Sequence, residues 1–374
     1  MKITEASIWG IHLPLKEPFV VSYATFPYMP SIILELKTDN GLSGFGEAVP
    51  DEHVTGESFE GAYELLKHIL IPEVLGESPF NIEHIHQKMN EKLIQNPSIK
   101  AAVDIACYDL MGKASGLPIY DLIGGRAHER LTYPKVISIG TPEKMAAQCT
   151  RALEEGYKDL KIKLSGDVQA DVDRLHAIRK AAGKGVPIRV DVNQGWKTAD
   201  QAKRALSQFD TLDLDWVEQP LAPHEFEAMN ELRSHSSIPL MLDESVVSET
   251  DLNRAIVSRA ADKINIKLMK CGGIYPAIHM AKTAEAAGLT CQIGSMVESS
   301  IGSAAGYHAA MARKNITSTE LTGPLLFSCD IGNLNYQIPE AVLNDQPGLG
   351  INIDRVALDE LSVKYDEIKG DLTK

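Results

Sequence analysis

The sequence of 374 residues has few cysteines and no long apolar run. Its five cysteines are scattered and include no Cys-x-x-Cys pair, which argues against a disulfide framework and against a zinc knuckle. The N-terminal stretch lacks the apolar core of a signal peptide, and no run approaches the roughly 20 apolar residues of a membrane span. These absences predict a cytoplasmic protein that is neither exported nor inserted into a membrane.

Positive charge is also in deficit, because 37 Lys and Arg residues face 51 Asp and Glu residues, for a net charge of −14. Such a balance repels both a nucleic-acid backbone and an anionic membrane surface. The hydrophobic fraction of 44% is typical of a globular protein. We therefore expect neither nucleic acid nor a membrane as a partner.

From about residue 135 onward, short β-branched apolar runs alternate with amphipathic helical stretches. Eight strands are predicted, at residues 135–139, 160–164, 188–192, 216–219, 239–243, 264–268, 289–293 and 316–321. Alternation of this kind indicates parallel strands joined by helical crossovers. Eight units favour a (β/α)8-type barrel, which needs at least about 200 residues. An open doubly wound sheet is the alternative.

The first 130 residues show a different pattern. Strands at residues 3–13 and 31–37 are followed by a hairpin turn, a return strand to residue 47, and helical patterns at 59–75, 82–93 and 98–114. The last helix has an apolar stripe that is broken by Asp109. We expect an α+β capping domain over residues 1–130, a barrel over 131–345, and a C-terminal segment, 346–374, that packs back on the cap.

Carboxylates follow three consecutive barrel strands, where the C-terminal ends of the strands would meet. Asp191, Glu218 and Asp243 would repel one another strongly unless a cation lies between them. Oxygen ligands with spare water positions are typical of Mg²⁺ sites. The alternative is that each carboxylate caps a helix or pairs with an arginine.

Two lysines are predicted to face each other across the same mouth. Lys163 ends the second strand and Lys267 the sixth, and these strands are opposite in an eight-stranded barrel. Two bases on opposite faces of a ligand can remove and return a proton. Lys161 shares the inward face with Lys163, so its charge would lower the pKa of that neighbour. The alternative is a structural ion pair between each lysine and a carboxylate.

At these residues the sequence resembles the enolase superfamily, in its muconate-lactonizing subgroup. The resemblance covers nearly the whole chain and rests on the motifs Lys161-Ile162-Lys163, Asp191-Val192-Asn193-Gln194-Gly195-Trp196, Val217-Glu218-Gln219-Pro220, Asp243-Glu244-Ser245 and Ile264-Asn265-Ile266-Lys267-Leu268-Met269-Lys270.

This resemblance implies a modified, (β/α)7β barrel, and one Mg²⁺ per subunit on Asp191, Glu218 and Asp243. It also implies a small-molecule carboxylate substrate. A lysine removes the α-proton of this substrate to give an enediolate, which the metal stabilises. Family members are often homo-oligomers, so we expect one here.

Three places discriminate between the substrates of the subgroup. Dipeptide epimerases carry Asp-x-Asp after the eighth strand to hold the substrate's ammonium group, and Glu320-Leu321-Thr322 retains one of the two acids. Epimerases of the Ala-Glu type have an arginine that binds the acidic side chain of the substrate. This chain has Ala24 at that position, so a substrate with an acidic side chain is disfavoured. In the other capping loop, Asp51 would suit a cationic side chain, unless the loop is only a solvated acidic segment.

These positions resemble most the racemases of N-succinyl-arginine and N-succinyl-lysine. The substrate-binding residues predicted on this basis are Asp51, His53, Val136, Asn193, Ser295, Met296, Glu320 and Thr322, with Ser295 and Met296 near the acyl group. The hypothesis is a racemase of N-acyl amino acids, in particular N-succinyl amino acids, with basic side chains, in which Lys163 and Lys267 are the two bases. Dipeptide epimerisation and muconate cycloisomerisation are the alternatives, and a non-enzymatic carboxylate-binding barrel is disfavoured by the paired lysines.

Overall fold

The computed structural model describes residues 1–20 and 25–370. Its N-terminal part is built on an antiparallel sheet in the strand order β15-β1-β2-β3, which we call the cap sheet. The strands are β1 (Ile3–Val20), β2 (Thr25–Thr38), β3 (Ser43–Ala48) and β15 (Ser362–Lys369). Because β15 pairs with β1, the C-terminal segment lies beside the first strand of the chain. The proposed domain boundaries themselves stay predictions.

Helices cover one face of the cap sheet. They are α1 (Phe59–Leu65), a π-helical turn (Leu66–Leu70), α2 (Ile71–Val74), α3 (Ile82–Lys92), α4 (Pro97–Ser115) and α5 (Ile119–Leu122). Helix α4 is buried over most of its length and lies directly on β3. A Cβ atom at Gly46 would lie 1.8 Å from the carbonyl oxygen of Ala102, so only glycine allows this close approach.

The carboxylate that interrupts the apolar stripe of α4 is a junction between three segments. Asp109 accepts hydrogen bonds from the backbone N–H groups of Phe45 and Leu349, both at 2.9 Å, and from Lys113 Nζ at 2.6 Å. A buried carboxylate is stable only with such partners. Asp109 therefore ties α4 to β3 and to the C-terminal segment.

The second part of the chain forms eight parallel strands. They are β5 (Lys135–Ile137), β6 (Leu160–Lys163), β7 (Ile188–Asp191), β8 (Trp216–Glu218), β9 (Leu240–Leu242), β10 (Lys263–Ile266), β11 (Thr290–Ile293) and β12 (Ile316–Thr319). They are hydrogen-bonded in strictly sequential order, from β5 to β12. A doubly wound sheet reverses its order at a switch point, so the alternative of an open doubly wound sheet is wrong.

Seven helices of ten or more residues connect these strands: α6 (Pro142–Glu154), α7 (Val168–Ala182), α8 (Ala199–Phe209), α9 (Phe226–His235), α10 (Glu249–Ser258), α12 (Ile274–Ala286) and α13 (Ser300–Met311). The eighth strand leads only into the short α14 (Gly323–Leu326). The fold is thus the expected (β/α)7β barrel. The observed strands mostly end one or two residues before the predicted ends.

The remaining elements are short: α11 (Leu268–Cys271), α15 (Arg355–Glu360), and a three-stranded sheet of β4 (Leu131–Thr132), β13 (Asn335–Gln337) and β14 (Glu340–Val342). Within the described ranges no ladder joins β5 to β12, so the barrel has a seam between its first and last strands. At this seam Thr319 Oγ1 donates to the carbonyl oxygen of Thr132. No helix among the described residues is long and apolar enough to cross a bilayer.

Glu57, at the end of the capping loop, is buried against the N-terminus of α4. Its carboxylate accepts the N–H groups of Ser98 at 3.0 Å and Ile99 at 3.3 Å, and burial raises its pKa from 4.5 to about 7. Because the folded pKa exceeds the unfolded one, the folded state binds the proton more tightly. Stability therefore falls as pH rises from about 4.5 to about 7 and is level above that range.

Glu57→Gln should remove this contribution, and unfolding free energies from urea titrations at pH 5, 6, 7 and 8 test it. We expect the decline between pH 5 and pH 7 to become shallower by up to about 3 kcal/mol, since each pKa unit corresponds to about 1.4 kcal/mol. Glu52→Gln, at an exposed position of the same loop, is the control. An unchanged pH slope in Glu57→Gln would contradict the prediction.

Candidate active site

The C-terminal ends of the barrel strands bring the predicted lysines and acids together. Lys163 pairs in register with Asp191, and Asp191 with Glu218, so these side chains share the inward face of the barrel. Asp243 and Lys267 directly follow β9 and β10. The sequence motifs are thus evenly spaced because each lies at the C-terminal end of a successive barrel strand, around one mouth.

Lys161 lies at the centre of this cluster and is almost fully buried. Its Nζ contacts Asp191 Oδ2 at 3.1 Å, Glu218 Oε2 at 2.9 Å and Glu320 Oε2 at 2.7 Å. Burial alone would lower the pKa of Lys161, but the three carboxylates raise it well above its ordinary value. Lys161 is therefore a fixed positive charge.

The two predicted bases each contact a different acid. Lys163 Nζ donates to Asp191 Oδ2 at 2.7 Å and to Asn193 Oδ1 at 3.1 Å, whereas Lys267 Nζ lies 2.8 Å from Asp243 Oδ2. Burial would lower the pKa of Lys267, but the charge of Asp243 raises it far above the usual range. The ion pairs considered as an alternative from the sequence are thus present in the structure.

The three acids of the predicted metal set differ in electrostatic state. Burial, followed by the charge of Asp191, raises the pKa of Glu218 to about 8. Burial also acts to raise the pKa of Asp191, but Lys161 and Lys163 outweigh it and lower that pKa to about 2. The pKa of Asp243 is held below its usual range, against burial, by Lys267 and Lys270.

Lys270 is a site residue that the sequence motif contains but that our reasoning from the sequence did not select. It is 1% exposed, and its Nζ donates to Asp243 Oδ1 at 2.6 Å and to the carbonyl oxygens of Val246 and Asn265, both at 3.1 Å. The signal was its spacing of three from Lys267, which places it one helical turn away on α11. Lys270 therefore holds one carboxylate oxygen of Asp243, and Lys267 holds the other.

Two amides, likewise not selected, orient the acids. Asn265 Nδ2 donates to Glu218 Oε1 at 2.8 Å, and Gln219 Oε1 accepts the N–H of Asp243 at 2.9 Å. Asn193, Gln194 and Gln219 have φ angles of +44°, +63° and +37°. Positive φ in residues other than glycine marks strained backbone, which concentrates at functional sites.

Replacing Lys270 with methionine should destabilise the protein, because its removal takes one cation from the buried carboxylate of Asp243 and leaves the carbonyl oxygens of Val246 and Asn265 without this donor. Breaking a buried ion pair costs about 3–5 kcal/mol. We expect a loss of this size in the free energy of unfolding, measured by urea titration. Lys282→Met, on the exposed face of α12, is the control and should change stability by less than about 0.5 kcal/mol.

The carboxylate and amide oxygens of the mouth are suitable ligands for a hard divalent cation. Within residues 1–20 and 25–370, no three acid, His or Cys side chains converge as ready-made ligands, because the three acids are turned toward lysines. Two oxygens in the buried cluster, Glu244 Oε2 and Asn265 Oδ1, lack a hydrogen-bond partner. Carboxylate oxygens are the ligands that Mg²⁺ prefers. A cation would relieve the mutual repulsion that raises the pKa of Glu218.

A cavity of about 300 Å³ opens beside Lys161 and Lys163, next to the seam of the barrel. Of the predicted substrate-binding residues, Val136, Ser295, Glu320 and Thr322 line it. Asp51, His53, Asn193 and Met296 are not among its walls. The apolar and aromatic side chains of its wall are those of Phe19, Pro134, Val136, Tyr157, Val297, Leu325 and Leu326.

Glu320 lines this cavity, and its two carboxylate oxygens differ in their partners. Its Oε2 is bound by Lys161, whereas Oε1 is buried and has no hydrogen-bond partner in the described structure. The N–H of Thr322 bonds back to the carbonyl of Glu320 at 2.8 Å, which forms a tight turn after β12. A buried acceptor of this kind is costly unless a ligand supplies a donor.

The carboxylate of Asp51 stabilises its own loop. Its Oδ1 accepts the N–H groups of His53 at 2.8 Å and Val54 at 2.9 Å. This local capping is characteristic of aspartate in turns and could not be distinguished from a substrate contact by sequence. Ala24, the other discriminating position of the cap, lies outside the described residues.

The wall formed by Ser295 and Val297 is held by Glu298, a residue that the sequence reasoning missed. Ser295 Oγ donates to Glu298 Oε2 at 2.5 Å, and the N–H of Met296 donates to Oε1 at 2.8 Å. The φ angle of Val297 is +66°, which is strained for a β-branched residue. The wall is therefore a conformation imposed by its hydrogen bonds.

A barrel with lysines and acids at these strand ends and a cap over its mouth defines the enolase class of enzymes. Family models match on both parts: "Mandelate racemase / muconate lactonizing enzyme, N-terminal domain" over residues 3–124 and "Enolase C-terminal domain-like" over residues 144–357. The chain belongs to this enolase superfamily, as its sequence motifs indicated.

Named relatives are racemases and epimerases. The chain is 49% identical to an N-succinyl-L-Arg/Lys racemase of Bacillus cereus, with 99% of this chain and 100% of the relative covered, and the crystal structure of that racemase superimposes with a TM-score of 0.97. It is 38% identical to an L-Ala-D/L-Glu epimerase of Clostridium acetobutylicum, with 94% and 99% covered. A dipeptide epimerase from Cytophaga hutchinsonii, complexed with Mg and D-Ala-L-Val, has 30% identity and a TM-score of 0.94, with 99% and 100% covered.

Proposed function

We propose that this protein is a Mg²⁺-dependent racemase of N-acyl amino acids, with N-succinyl derivatives of basic amino acids as substrates. The observation that carries the reaction class is the placement of Lys163 and Lys267. They contact different acids, Asp191 and Asp243, on strands that are opposite in the barrel. A lysine on each side of the substrate's α-carbon can take a proton from one face and deliver one to the other.

Asp191, Glu218 and Asp243 would hold the Mg²⁺ ion, which supplies a Lewis acid that makes the α-proton of a carboxylate substrate acidic enough to be removed. Lys161 adds positive charge beside the developing enediolate, in a buried site where such charge acts strongly. Asp191 and Asn193 contact Lys163, and Asp243 contacts Lys267. A cation held by the acids would weaken these ion pairs and leave both lysines available to the substrate.

The single acid after β12 favours an N-acylated substrate over a free amine. Glu320 is neutralised through Oε2 by Lys161, so little net negative charge remains to stabilise a substrate ammonium group. The unpartnered Oε1 suits one neutral N–H donor. An amide N–H beside the α-carbon is such a donor.

The apolar wall of the cavity suits methylene groups, as in a succinyl chain or the stem of Lys or Arg. The preference for succinyl and basic groups rests on the similarity to the Bacillus cereus racemase. Dipeptide epimerisation is the second candidate, because one acid of the Asp-x-Asp pattern is retained as Glu320. The cytoplasmic location, the homo-oligomeric state and the absence of nucleic-acid and membrane partners stay predictions.

One assay tests these functions together. N-succinyl-L-lysine, N-succinyl-L-norleucine, L-Ala-L-Lys and muconate are incubated separately with the enzyme and Mg²⁺ in D₂O, and α-proton exchange and optical rotation are followed. We expect both to change fastest with N-succinyl-L-lysine, and norleucine isolates the contribution of the side-chain charge. Faster turnover of the dipeptide would favour the second candidate, and no exchange with any amino acid derivative would refute the racemase class.

A further inference from the structure

A second buried glutamate, Glu47 on β3, joins the cap to the wall of the cavity. Its Oε1 accepts Ser31 Oγ at 2.7 Å and the N–H of Ser299 at 2.9 Å, and its Oε2 accepts Ser299 Oγ at 2.6 Å and the N–H of Gly302 at 2.8 Å. Ser31 belongs to the cap sheet, whereas Ser299 and Gly302 begin helix α13 of the barrel. All four hydrogen bonds thus meet on one side chain at the contact between the two parts of the chain.

Burying the carboxylate of Glu47 costs free energy, which indicates that this residue has a role. Glu47 is 0% exposed, and burial raises its pKa to about 7 although four hydrogen bonds act against that rise. Among the described residues, burial and hydrogen bonds are the main influences on this carboxylate, and no cation is among them. An apolar side chain could fill such a position without desolvating a carboxylate. The N-terminus of α13, with its unpaired N–H groups and positive dipole end, compensates in part.

The segment that precedes this helix N-terminus is the cavity wall. Ser295 and Val297 line the cavity, Val297 is strained, and Ser299 follows two residues later as the N-cap of α13. Gly302 is required for the close approach, since a Cβ there would lie 3.0 Å from Glu47 Oε2 and 2.8 Å from the side chain of Glu298. The strained wall is therefore fixed at its end by a carboxylate from the cap.

We propose that Glu47 is a positioning residue, which holds the wall formed by residues 295–298 in its productive shape when the cap is seated on the barrel. Ser295 is predicted to lie near the acyl group, so a displaced wall misplaces the substrate relative to Lys163. Because misplacement by about 1 Å can cost about 100-fold in rate, Glu47 acts on turnover without touching substrate. The kinetic part of this inference rests on the proposed racemase function.

The test compares Glu47→Gln with Glu35→Gln. Glu35 is also buried in the cap sheet, at 1% exposed, but it pairs with Arg355, away from the cavity. We expect Glu47→Gln to lower kcat for N-succinyl-L-lysine by about 10- to 100-fold, with KM changed less than about threefold. Amide hydrogen exchange at residues 295–302 should become faster. Glu35→Gln should change neither kcat nor the amide exchange of residues 295–302, even if it lowers Tm.

Two further variants keep the test informative if Glu47→Gln does not fold. Ser299→Ala removes one donor to Glu47, and Glu47→Asp keeps the charge but shortens the reach, so each should give a smaller change in the same direction. The proposal is overturned if Glu47→Gln keeps both kcat and the amide protection of residues 295–302, or if Glu35→Gln loses that protection equally. Should the wild-type protein exchange no substrate, the racemase function fails, and the amide-exchange comparison still decides the role of Glu47.

Discussion

Alanine at either Lys163 or Lys267 is expected to abolish racemisation and to leave α-proton exchange with one enantiomer only, a different one for each variant. Each lysine faces one side of the α-carbon, so the remaining lysine still removes and returns a proton on its own side. Inversion requires both. Loss of a general base lowers rates by about 10²–10⁴-fold, so racemisation followed by optical rotation should fall at least that far, below the detection limit.

The exchange assay in D₂O separates this model from a simple loss of activity. N-succinyl-L-lysine and its D enantiomer are each incubated with each variant, and deuterium incorporation is followed by NMR. Lys158→Ala, at an exposed position outside the mouth, is the control. If either Lys163→Ala or Lys267→Ala still racemises its substrate, or if both keep exchange with the same enantiomer, the two-base mechanism is wrong.

Glutamine at Glu218 is expected to abolish the stabilisation of the protein by Mg²⁺. Both oxygens of Glu218 are oriented, one by Asn265 and one by Lys161, and the side chain is 0% exposed. A ligand at 100 times its Kd stabilises the folded state by about 2.7 kcal/mol. The wild-type Tm should therefore rise with added Mg²⁺ and fall again with EDTA, whereas the Tm of Glu218→Gln should respond to neither.

The same variant should exchange α-protons at least about 10³-fold more slowly, because the charge that stabilises the enediolate would be missing. Glu227→Gln, at an exposed position of α9, is the matched control and should keep both the thermal shift and the rate. A full Mg²⁺-dependent rise of Tm in Glu218→Gln would show that this glutamate does not hold the ion. Measuring Tm as well as rate keeps the metal question separate from the identity of the substrate.

The barrel and the central charges could be predicted because they follow from periodicity. A parallel strand places its last inward residue at the mouth, so one charged residue per strand predicts a ring, and Lys161, Lys163, Asp191 and Glu218 occupy it as expected. Lys270 and Asn265 could not be recognised in the same way. Their role is to hold Asp243 and Glu218, and such contacts depend on how β10 and α11 lie relative to the neighbouring strands in the tertiary structure.

The cap was harder to interpret from sequence. Asp51 was predicted to bind a cationic side chain, and this stays a prediction; its Oδ1 also accepts the N–H groups of its own loop. Glu47 and Glu57 stand in the same stretch of sequence and were not singled out, although both are buried anions at helix N-termini. A carboxylate that serves a helix distant in sequence has no local pattern, so only the tertiary structure reveals it.

The pairing of β15 with β1 has a consequence for synthesis of the chain. Trp9 Nε1 donates to Asp359 Oδ1 across 350 positions of sequence, beside the point where the two strands meet. Contacts of such long range form late, because a large loop must close first. On the ribosome, every barrel strand therefore emerges before the cap sheet can be completed. Until then β1 has an open edge, which makes the nascent cap the region most exposed to wrong pairing and to chaperones.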